Sequence, residues 1–403
     1  MLTLAQALDA LLAGAQPLAE SERVATLDAN GRVLARPVTS TLDVPPADNT
    51  SMDGYALRCA DVPMPGARLR VAQRIPAGHV GGPLEPGTAA RIFTGGLIPP
   101  GADAVVMQEQ CEVDGDHVIV NHAPGPGEWI RRAGEDIMAG SQILPAGTRL
   151  TPQALGLAAS VGQAEVDVVR RVRVAVFFTG DELAMPGEPL KPGAIYNSNR
   201  FTLRGLLQNL GCEVTDFGIV PDTLEATRDT LRRAAQGHDL IITSGGVSVG
   251  EEDHIKPAVQ AEGRLDLWQI AIKPGKPLAF GHVSRGGQDG SAAFLGLPGN
   301  PVSSFVTFLL FVRPFILRMQ GVTDVAPHRI PMRADFDLVK FDRRNEFLRV
   351  RVNGGGGLDL FPNQSSGVLT STVWGDGLVD NPPNQPIRRG DTVVFLPFAA
   401  MMH

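Results

Sequence analysis

Strand patterns and helix patterns alternate along residues 172–319, and this alternation limits the possible folds more than any other feature of the chain. Apolar runs at 172–178, 213–220, 240–243 and 293–295 predict strands, and segments at 199–210, 224–235 and 301–319 predict helices. Such alternation is typical of a parallel or mixed sheet with helices on both faces. Ligands of these sheets bind beyond the carboxyl ends of the strands. The sequence therefore predicts a central α/β domain with a binding cleft at one edge.

The regions on either side have different patterns. Residues 2–12 predict an amphipathic helix that Thr3 caps with Gln6 in capping-box register. Further helices are predicted over 24–34 and 151–160, and Thr151 is the predicted cap of the second. From 67 to 122, short apolar runs alternate with Gly and Pro clusters, which predicts a small all-β insertion. Strand patterns resume at 330–333, 347–352, 368–372 and 392–396, which predicts a C-terminal β domain.

A chain of 403 residues is too long for one compact core. We expect an elongated multidomain chain with four parts. These are a discontinuous N-terminal helical and linker subdomain (1–45 and 137–168), a β-rich insertion (46–136), the central α/β domain (169–324) and a β-barrel-like C-terminal domain (325–403).

Composition excludes several classes of function. A net charge of −7 and few aromatic residues argue against nucleic acid as a partner. No apolar window reaches the ~18 residues of a membrane span, and residues 1–12 lack the basic segment of a signal peptide. The cysteines Cys59, Cys111 and Cys212 are scattered, which fits a reducing compartment. We expect a cytoplasmic protein without a membrane partner.

Residues 239–253 carry the strongest local signal for a binding site. A buried strand ends in Ser244-Gly245-Gly246, and the carboxylates Glu251, Glu252 and Asp253 follow just before a predicted helix. Glycine lets the backbone approach a phosphate closely, and backbone N–H groups at a helix start favour negative charge. Carboxylates beside a phosphate suit a divalent cation. This segment therefore predicts an oxyanion site with a metal.

Three more predicted strands end in polar loops, so four loops should meet at one edge of the sheet. Any one of them alone would be read as an ordinary turn. The four loops are Thr179-Gly180-Asp181-Glu182, Pro221-Asp222, residues 244–253 and Leu297-Pro298-Gly299-Asn300-Pro301.

Lys273-Pro274-Gly275-Lys276-Pro277 predicts an anion clamp, because two prolines stiffen a loop that carries two positive charges. A solvated surface turn would have the same composition. Arg343 and Arg344 could add a second basic wall.

Three other polar clusters fit either a linker turn or a site. They are residues 49–56 with Asp53, residues 92–96 with Thr94, and residues 131–136 with Asp136. The histidines show no metal-ligand spacing. The chain also contains no nucleophile elbow, Walker A motif or dinucleotide-binding glycine motif.

Several motifs together resemble those of one enzyme family across nearly the whole chain. They are N-T-S-M-D-G-Y-A (49–56), T-G-D-E-L (179–183), I-Y-N-S-N (195–199), T-S-G-G-V-S-V-G-E-E-D (243–253), I-K-P-G-K-P (272–277) and L-P-G-N-P-V-S (297–303). On these motifs the sequence resembles the molybdopterin molybdenumtransferases of the MoeA type, whose relatives include the E domain of gephyrin.

The resemblance implies insertion of molybdenum from molybdate into adenylylated molybdopterin, with release of AMP and a requirement for Mg²⁺. It also implies a homodimer, with molybdopterin adenylyltransferase and apo-molybdoenzymes or their chaperones as transient partners. Two alternatives remain at this point. One is a molybdopterin adenylyltransferase, which would resemble only the central domain, and the other is a non-enzymatic scaffold like the gephyrin domain.

The resemblance also implies roles for individual residues. Lys273, Lys276, Arg344 and Ser365 would bind molybdate. Thr179, Gly180, Ser244, Gly245, Gly246, Pro298, Gly299, Asn300 and Pro301 would bind the molybdopterin phosphate. Glu182, Asp222 and Asp253 would be catalytic and hold Mg²⁺, and Asp53, Thr94 and Asp136 would complete the catalytic set.

In such dimers Asp53 and Thr94 would reach the cleft of the other subunit. The sequence departs from its relatives at Gln269, where they often carry a lysine after the tryptophan. Oxyanion binding could therefore depend more strongly on Lys273.

Overall fold

The structure, a computed structural model, describes residues 1–246, 254–286 and 290–402, without the side chain of Leu267. The predicted ligand Asp253 lies outside the described residues, as do Glu251 and Glu252. The chain begins with helix α1 (Leu4–Ala13). The Thr3 hydroxyl accepts a hydrogen bond from the Gln6 N–H, and the Gln6 side chain accepts one from the Thr3 N–H, which confirms the predicted capping box.

Helix α1 packs on the central domain, because its buried residues Ala7 and Leu11 belong to the core of that domain. Strands β1 (Ser21–Ala25) and β2 (Val38–Thr39) follow. The helix predicted over 24–34 is wrong. Residues after β1 form a single 3-10 turn (Thr26–Asp28) and then a turn at Gly31, whose φ is +74°. Pairing of β1 with a strand about 140 residues away in sequence overrides the local helix pattern.

The β-rich insertion is confirmed as an all-β unit. Its strands are β3 (Asn49–Thr50), β4 (Gly54–Leu57), β5 (Ala67–Ile75), β6 (Thr88–Ile92), β7 (Ala104–Met107), β8 (Cys111–Asp114), β9 (His117–Val120) and β10 (Ile130–Arg131). Six of them form one sheet in the order β7-β4-β6-β5-β9-β8, and β3 pairs with β10.

The chain then returns to the N-terminal subdomain with β11 (Gln142–Leu144), helix α2 (Pro152–Ser160) and β12 (Glu165–Val169). Thr151 caps α2 as predicted. Strand β11 pairs with β2, and β12 pairs antiparallel with β1, so the two segments of this subdomain form one unit.

The central domain has the predicted α/β architecture. Its elements are β13 (Arg173–Thr179), β14 (Leu183–Ala184), β15 (Ile195–Tyr196), α3 (Ser198–Asn209), β16 (Glu213–Val220), α4 (Leu224–Gly237), β17 (Leu240–Ser244), α5 (Ile255–Glu262), β18 (Gly263–Gln269), β19 (Ile272–Lys273), β20 (Pro277–Ser284), β21 (Ser291–Leu297) and α6 (Pro301–Met319).

The central sheet is mixed and has the order β16-β13-β17-β21-β20-β18. The first four strands are parallel, whereas β20 and β18 are antiparallel to their neighbours. Helices α1, α3 and α6 pack on one face, and α4 and α5 pack on the other. Strands β18 and β20 were not predicted from the sequence.

Helix α6 is apolar and long enough to cross a membrane by composition alone, but 94% of its apolar window is buried inside the protein. It is therefore a core helix. The expectation that no apolar window reaches the length of a membrane span is wrong for these residues, because the helix continues through Arg313 and Pro314. Residues Phe308–Val312 form a wider π-helical turn directly before Arg313 and Pro314. This turn lets the helix continue past a proline that lacks an N–H donor.

The C-terminal domain consists of β22 (Ile330–Arg333), β23 (Asn345–Val352), β24 (Leu358–Leu360), α7 (Thr370–Trp374), β25 (Gly377–Asn381), β26 (Thr392–Pro397) and α8 (Phe398–Met401). Its sheet has the order β23-β25-β26-β22, and β24 pairs with β23. A bridge between Ala334, directly after β22, and Leu358 of β24 closes the ring, which gives the barrel-like form.

The strand predicted over 368–372 is wrong, because these residues form a turn and helix α7. The Ser371 and Thr372 hydroxyls donate to the carbonyls of Val368 and Leu369, three residues back. Such local bonds compete with strand pairing. The short strand β19 of the central domain pairs with β23, so it fixes the Lys273 loop between the two domains.

Candidate functional site

A cleft of about 790 Å³ lies at the carboxyl edge of the central sheet, where the C-terminal domain faces it. It is lined from the central domain by Thr179, Glu182, Leu183, Ile195, Asn197, Asn199, Ser244, Gly245, Gly246, Lys273, Pro274, Gly275, Lys276, Pro277, Pro298, Gly299, Asn300, Pro301 and Ser303. The C-terminal domain contributes Arg344, Gln364, Ser365 and Ser366. The structure thus brings parts of three of the four predicted strand-end loops to one cleft with Lys273, Lys276 and Arg344. The Pro221-Asp222 loop and Arg343 are not among its lining residues.

Hydrogen bonds between loops fix the floor of the cleft. The Asn199 amide donates to the Ser244 hydroxyl at 2.8 Å and to the Gly299 carbonyl at 2.8 Å. The buried Ser244 hydroxyl donates to the Pro298 carbonyl at 2.9 Å. One asparagine therefore ties the glycine turn after β17 to the Pro298–Pro301 loop. These small residues leave backbone groups accessible to a phosphate.

Two predicted acidic residues lie beside this floor. The Thr179 hydroxyl, at the end of β13, donates to Asp222 Oδ1 at 2.8 Å. Glu182 lies three residues after Thr179 and lines the cleft. Gly180 has a φ of +145°, and a Cβ there would be 2.6 Å from Glu182 Oε2, so the absence of a side chain at 180 allows this Glu182 position.

The residues predicted to bind molybdate form a wall in which opposite charges are paired. Lys273 Nζ lies 3.0 Å from Glu346 Oε1 and 3.6 Å from Asp342 Oδ2. Arg344 donates to both oxygens of Asp342, at 2.9 and 2.8 Å. Hydrogen bonding from Arg344 holds the pKa of the Asp342 carboxyl well below its usual range. The loop thus carries both predicted lysines, of which Lys273 is ion-paired and Lys276 is exposed.

The Lys273–Lys276 loop is held in a conformation that only glycine fits at its centre. Gly275 has a φ of +106°, and a Cβ there would lie 2.5 Å from the Thr307 hydroxyl of α6. The loop is thus packed against the first turns of α6, which follow the Pro298–Pro301 loop.

Four predicted catalytic residues are not among the residues that line the cleft of their own chain, namely Asp53, Thr94, Asp136 and Asp222. Asp53 and Thr94 are paired in the β-rich insertion, where Asp53 Oδ1 accepts from the Thr94 N–H at 2.8 Å and from its hydroxyl at 2.7 Å. These bonds hold the pKa of Asp53 below its usual value. Asp136 is exposed, and its N–H donates to the Val44 carbonyl.

A resident metal centre with three protein ligands is absent from residues 1–246, 254–286 and 290–402, since no three Asp, Glu, His or Cys side chains there are grouped around one point. Two of the predicted ligands, Glu182 and Asp222, remain beside the cleft. Their roles stay predictions.

Several residues of the cleft and of the ion pairs beside it had no role assigned from the sequence. Asn197 and Asn199 stood in a quoted motif, but their polar side chains were not assigned to the site. Asp342 and Glu346 gave no signal, because Glu346 meets Lys273 only through the pairing of β19 with β23.

The fold defines a multidomain protein built around a mixed α/β sheet, with a polar cleft at the carboxyl edge of that sheet. The family model for the MoeA N-terminal region (domain I and II) matches residues 2–162. The probable molybdopterin binding domain matches residues 175–318, and the MoeA C-terminal region (domain IV) matches residues 332–398.

Relatives match along most of the chain. A molybdopterin molybdenumtransferase of Haemophilus influenzae is 45% identical over 80% of this chain and 78% of its own length. Another, from Nostoc sp., is 42% identical over 75% of this chain and 70% of its own. The crystal structure of a molybdopterin biosynthesis moeA protein from Pyrococcus horikoshii is 29% identical and covers 98% of this chain and 100% of its own, with a TM-score of 0.85. The chain belongs to the molybdopterin molybdenumtransferase family.

Proposed function

We propose that this protein inserts molybdenum from molybdate into adenylylated molybdopterin and releases AMP. The observation that carries the proposal is the cleft itself, in which glycine- and proline-rich strand ends face a basic wall. The strand ends suit a phosphate, and the wall suits a tetrahedral dianion. An adenylyltransferase is not favoured, because the molybdenumtransferase relatives match far beyond the central domain.

Each group of residues would have a separate task. Ser244, Gly245, Gly246 and the Pro298–Pro301 loop would hold the pterin phosphate. Lys273, Lys276, Arg344 and Ser365 would hold molybdate. Because Lys273 and Arg344 are already paired with Glu346 and Asp342, their positions are fixed before the anion arrives. Such preorganisation reduces the cost of ordering the site during the reaction.

Mg²⁺ fits the acidic residues beside the cleft. Mg²⁺ usually binds one or two protein carboxylates together with substrate phosphates. Glu182 and Asp222 would hold it, since Thr179 donates to only one oxygen of Asp222. When bound, Mg²⁺ neutralises charge as the phosphoanhydride is cleaved. Asp253 would be a third ligand.

We further infer a homodimer in the cytoplasm. Asp53 and the exposed Thr94 form a hydrogen-bonded pair outside their own cleft, which supports the expectation that they act in the cleft of a second copy. The free cysteines Cys59, Cys111 and Cys212 fit a reducing compartment.

Molybdopterin adenylyltransferase would supply the substrate, and apo-molybdoenzymes or their chaperones would take the product.

AMP release tests the proposed activity. Purified protein given adenylylated molybdopterin should release AMP only when molybdate and Mg²⁺ are both present. Release that does not depend on molybdate would overturn the proposal, and consumption of ATP with molybdopterin would favour an adenylyltransferase instead. The scaffold alternative predicts no AMP release under any of these conditions.

Replacing Lys273 with alanine should raise the half-saturating concentration of molybdate about 10-fold. It should also lower the free energy of unfolding by about 1–3 kcal/mol, because Glu346 would stay buried without its cation. Molybdate titration of AMP release and chemical denaturation measure the two effects.

A second substitution separates the two effects. Glutamine at 346 can still accept the hydrogen bond from the Asp342 N–H, which lies 3.0 Å from Glu346 Oε2. The double variant Lys273→Ala with Glu346→Gln should therefore regain stability but keep the raised half-saturation. If Lys273→Ala leaves the titration curve unchanged, the anion binds elsewhere in the cleft.

A further inference from the structure

Arg349, on strand β23, is a buried cation behind the cleft. It is the largest of the fully buried side chains in the described structure, with 1% of its surface exposed. A guanidinium is rarely buried to this extent without a carboxylate partner. Within residues 1–246, 254–286 and 290–402, no carboxylate forms an ion pair with Arg349. Burial lowers the pKa of Arg349 to about 10, so the side chain remains charged at neutral pH.

The guanidinium donates only to neutral oxygens in the described structure. Nη2 donates to the Ser365 carbonyl at 3.2 Å, Nε to the Ser371 hydroxyl at 3.1 Å and Nη1 to the Phe347 carbonyl at 3.3 Å. Because neutral acceptors do not cancel its charge, the net positive charge persists inside the domain.

The Arg349 guanidinium lies behind the wall of the cleft, because it donates to the backbone carbonyl of Ser365, a residue that lines the cleft. Its main chain exchanges hydrogen bonds with the Gln364 side chain, at 3.0 Å in each direction. Gln364, Ser365 and Ser366 line the cleft, and the Ser366 carbonyl accepts from the Val302 N–H at the start of α6. The segment that carries Ser365 is thus held both by the Arg349 main chain and by the charged Arg349 side chain.

Two other cations of the wall have their charge offset, whereas Lys276 is exposed to solvent. Lys273 and Arg344 share Glu346 and Asp342, so this group of four side chains has no net charge. A buried charge is screened by solvent less than an exposed one. Arg349 therefore contributes a net field at the place where an oxyanion would bind.

We propose that Arg349 is a positioning and anion-selecting residue, which acts through the Ser365 segment to favour a dianion in the cleft without touching it. This inference rests on the proposed function, in which that dianion is molybdate. Its test measures anion binding alone, so it can fail while AMP release stands, and the reverse also holds.

Two variants remove the net charge in different ways. Arg349→Gln removes the cation. Ser371→Asp keeps the cation and places a carboxylate next to Nε, and Ser371→Asn is its neutral control of matched size. If Arg349→Gln does not fold, Ser371→Asp and its control still allow the test. Ser371 does not line the cleft, so its substitution leaves the cleft surface itself unchanged.

Binding of two tetrahedral anions that differ in charge distinguishes loss of charge selectivity from general damage to the structure. Molybdate is a dianion and perrhenate is a monoanion, so the loss of one positive charge should weaken molybdate binding by the square of the perrhenate factor. We expect Arg349→Gln and Ser371→Asp to weaken molybdate about 10-fold and perrhenate about 3-fold in calorimetric titrations of the full chain. Ser371→Asn should bind both anions as the unaltered protein does.

Arg313→Met provides a control for the loss of a buried arginine. Arg313 is also buried and donates to the carbonyls of Val325 and Ala400, but it lies twelve residues along α6 from Pro301, roughly 18 Å at 1.5 Å per residue. This variant should lose stability and keep both affinities. The proposal is overturned if Arg349→Gln and Ser371→Asp weaken both anions equally, if they weaken neither, or if the unaltered protein binds no molybdate.

Discussion

Replacing Asp222 with asparagine is expected to lower the rate of molybdate-dependent AMP release at least about 100-fold while the fold stays intact. The Thr179 hydroxyl donates to Asp222 Oδ1 at 2.8 Å, and the asparagine carbonyl can accept the same bond. Only the negative charge is lost. Because that charge would help hold Mg²⁺ against the phosphoanhydride, the turnover number should fall and the Mg²⁺ requirement should rise. AMP release measured over a Mg²⁺ titration checks both.

Asp229→Asn is a matched control for this result. Asp229 lies on α4 with its side chain 60% exposed and forms an ion pair with Arg233 at 3.8 Å. The same chemical change there should leave activity unchanged. If Asp222→Asn retains full activity at low Mg²⁺, the Asp222 carboxylate has no part in the reaction and the metal must be held elsewhere.

Replacing Asp239 with asparagine should lower the free energy of unfolding by about 3 kcal/mol. The buried Asp239 carboxylate accepts from Arg170 Nη1 at 2.7 Å, Arg170 Nη2 at 2.9 Å and the Arg173 N–H at 2.9 Å. These hydrogen bonds join the start of β17 to the start of β13. In the variant, the exposed Glu20 is the only acidic partner of Arg170 that remains among the described residues. Urea denaturation measures the loss.

The exposed pair of Glu213 with Arg173 offers a control for this stability effect. Its atoms are 3.7 Å apart, and both side chains are at least half exposed. Glu213→Gln should cost less than about 1 kcal/mol. If both variants lose the same free energy of unfolding, burial does not make the Asp239 pair more stabilising than the exposed pair.

The Asp239 pair also predicts how stability depends on pH. Burial disfavours the charged carboxylate, but hydrogen bonds from Arg170 and Arg173 outweigh it, so the pKa of Asp239 lies below its usual value. A carboxyl group with a lowered folded-state pKa contributes stability above its unfolded pKa, and this is lost as the pH falls through the folded value. The unaltered protein should therefore lose this contribution below about pH 4, whereas Asp239→Asn should show a shallower acid limb.

Sequence patterns predicted those elements whose formation depends on nearby residues. The capping box before α1, the Thr151 cap of α2 and the strand–helix alternation of the central domain all lie within short windows. The two wrong predictions, at 24–34 and 368–372, arose where a distant partner or side-chain bonds to the local backbone decided the conformation. Strands β18 and β20 were missed although they complete the central sheet.

In the cleft, too, some features follow from the local sequence and others from contacts between distant residues. The sequence by itself determined which loops end the parallel strands, because strand direction places all their carboxyl ends at one edge. Only the tertiary structure decided the charge of the opposite wall. Lys273 meets Glu346 through strand pairing, and Arg349 is enclosed with no described carboxylate beside it. Electrostatic energy depends on distance and burial in space, and the order of residues along the chain specifies neither.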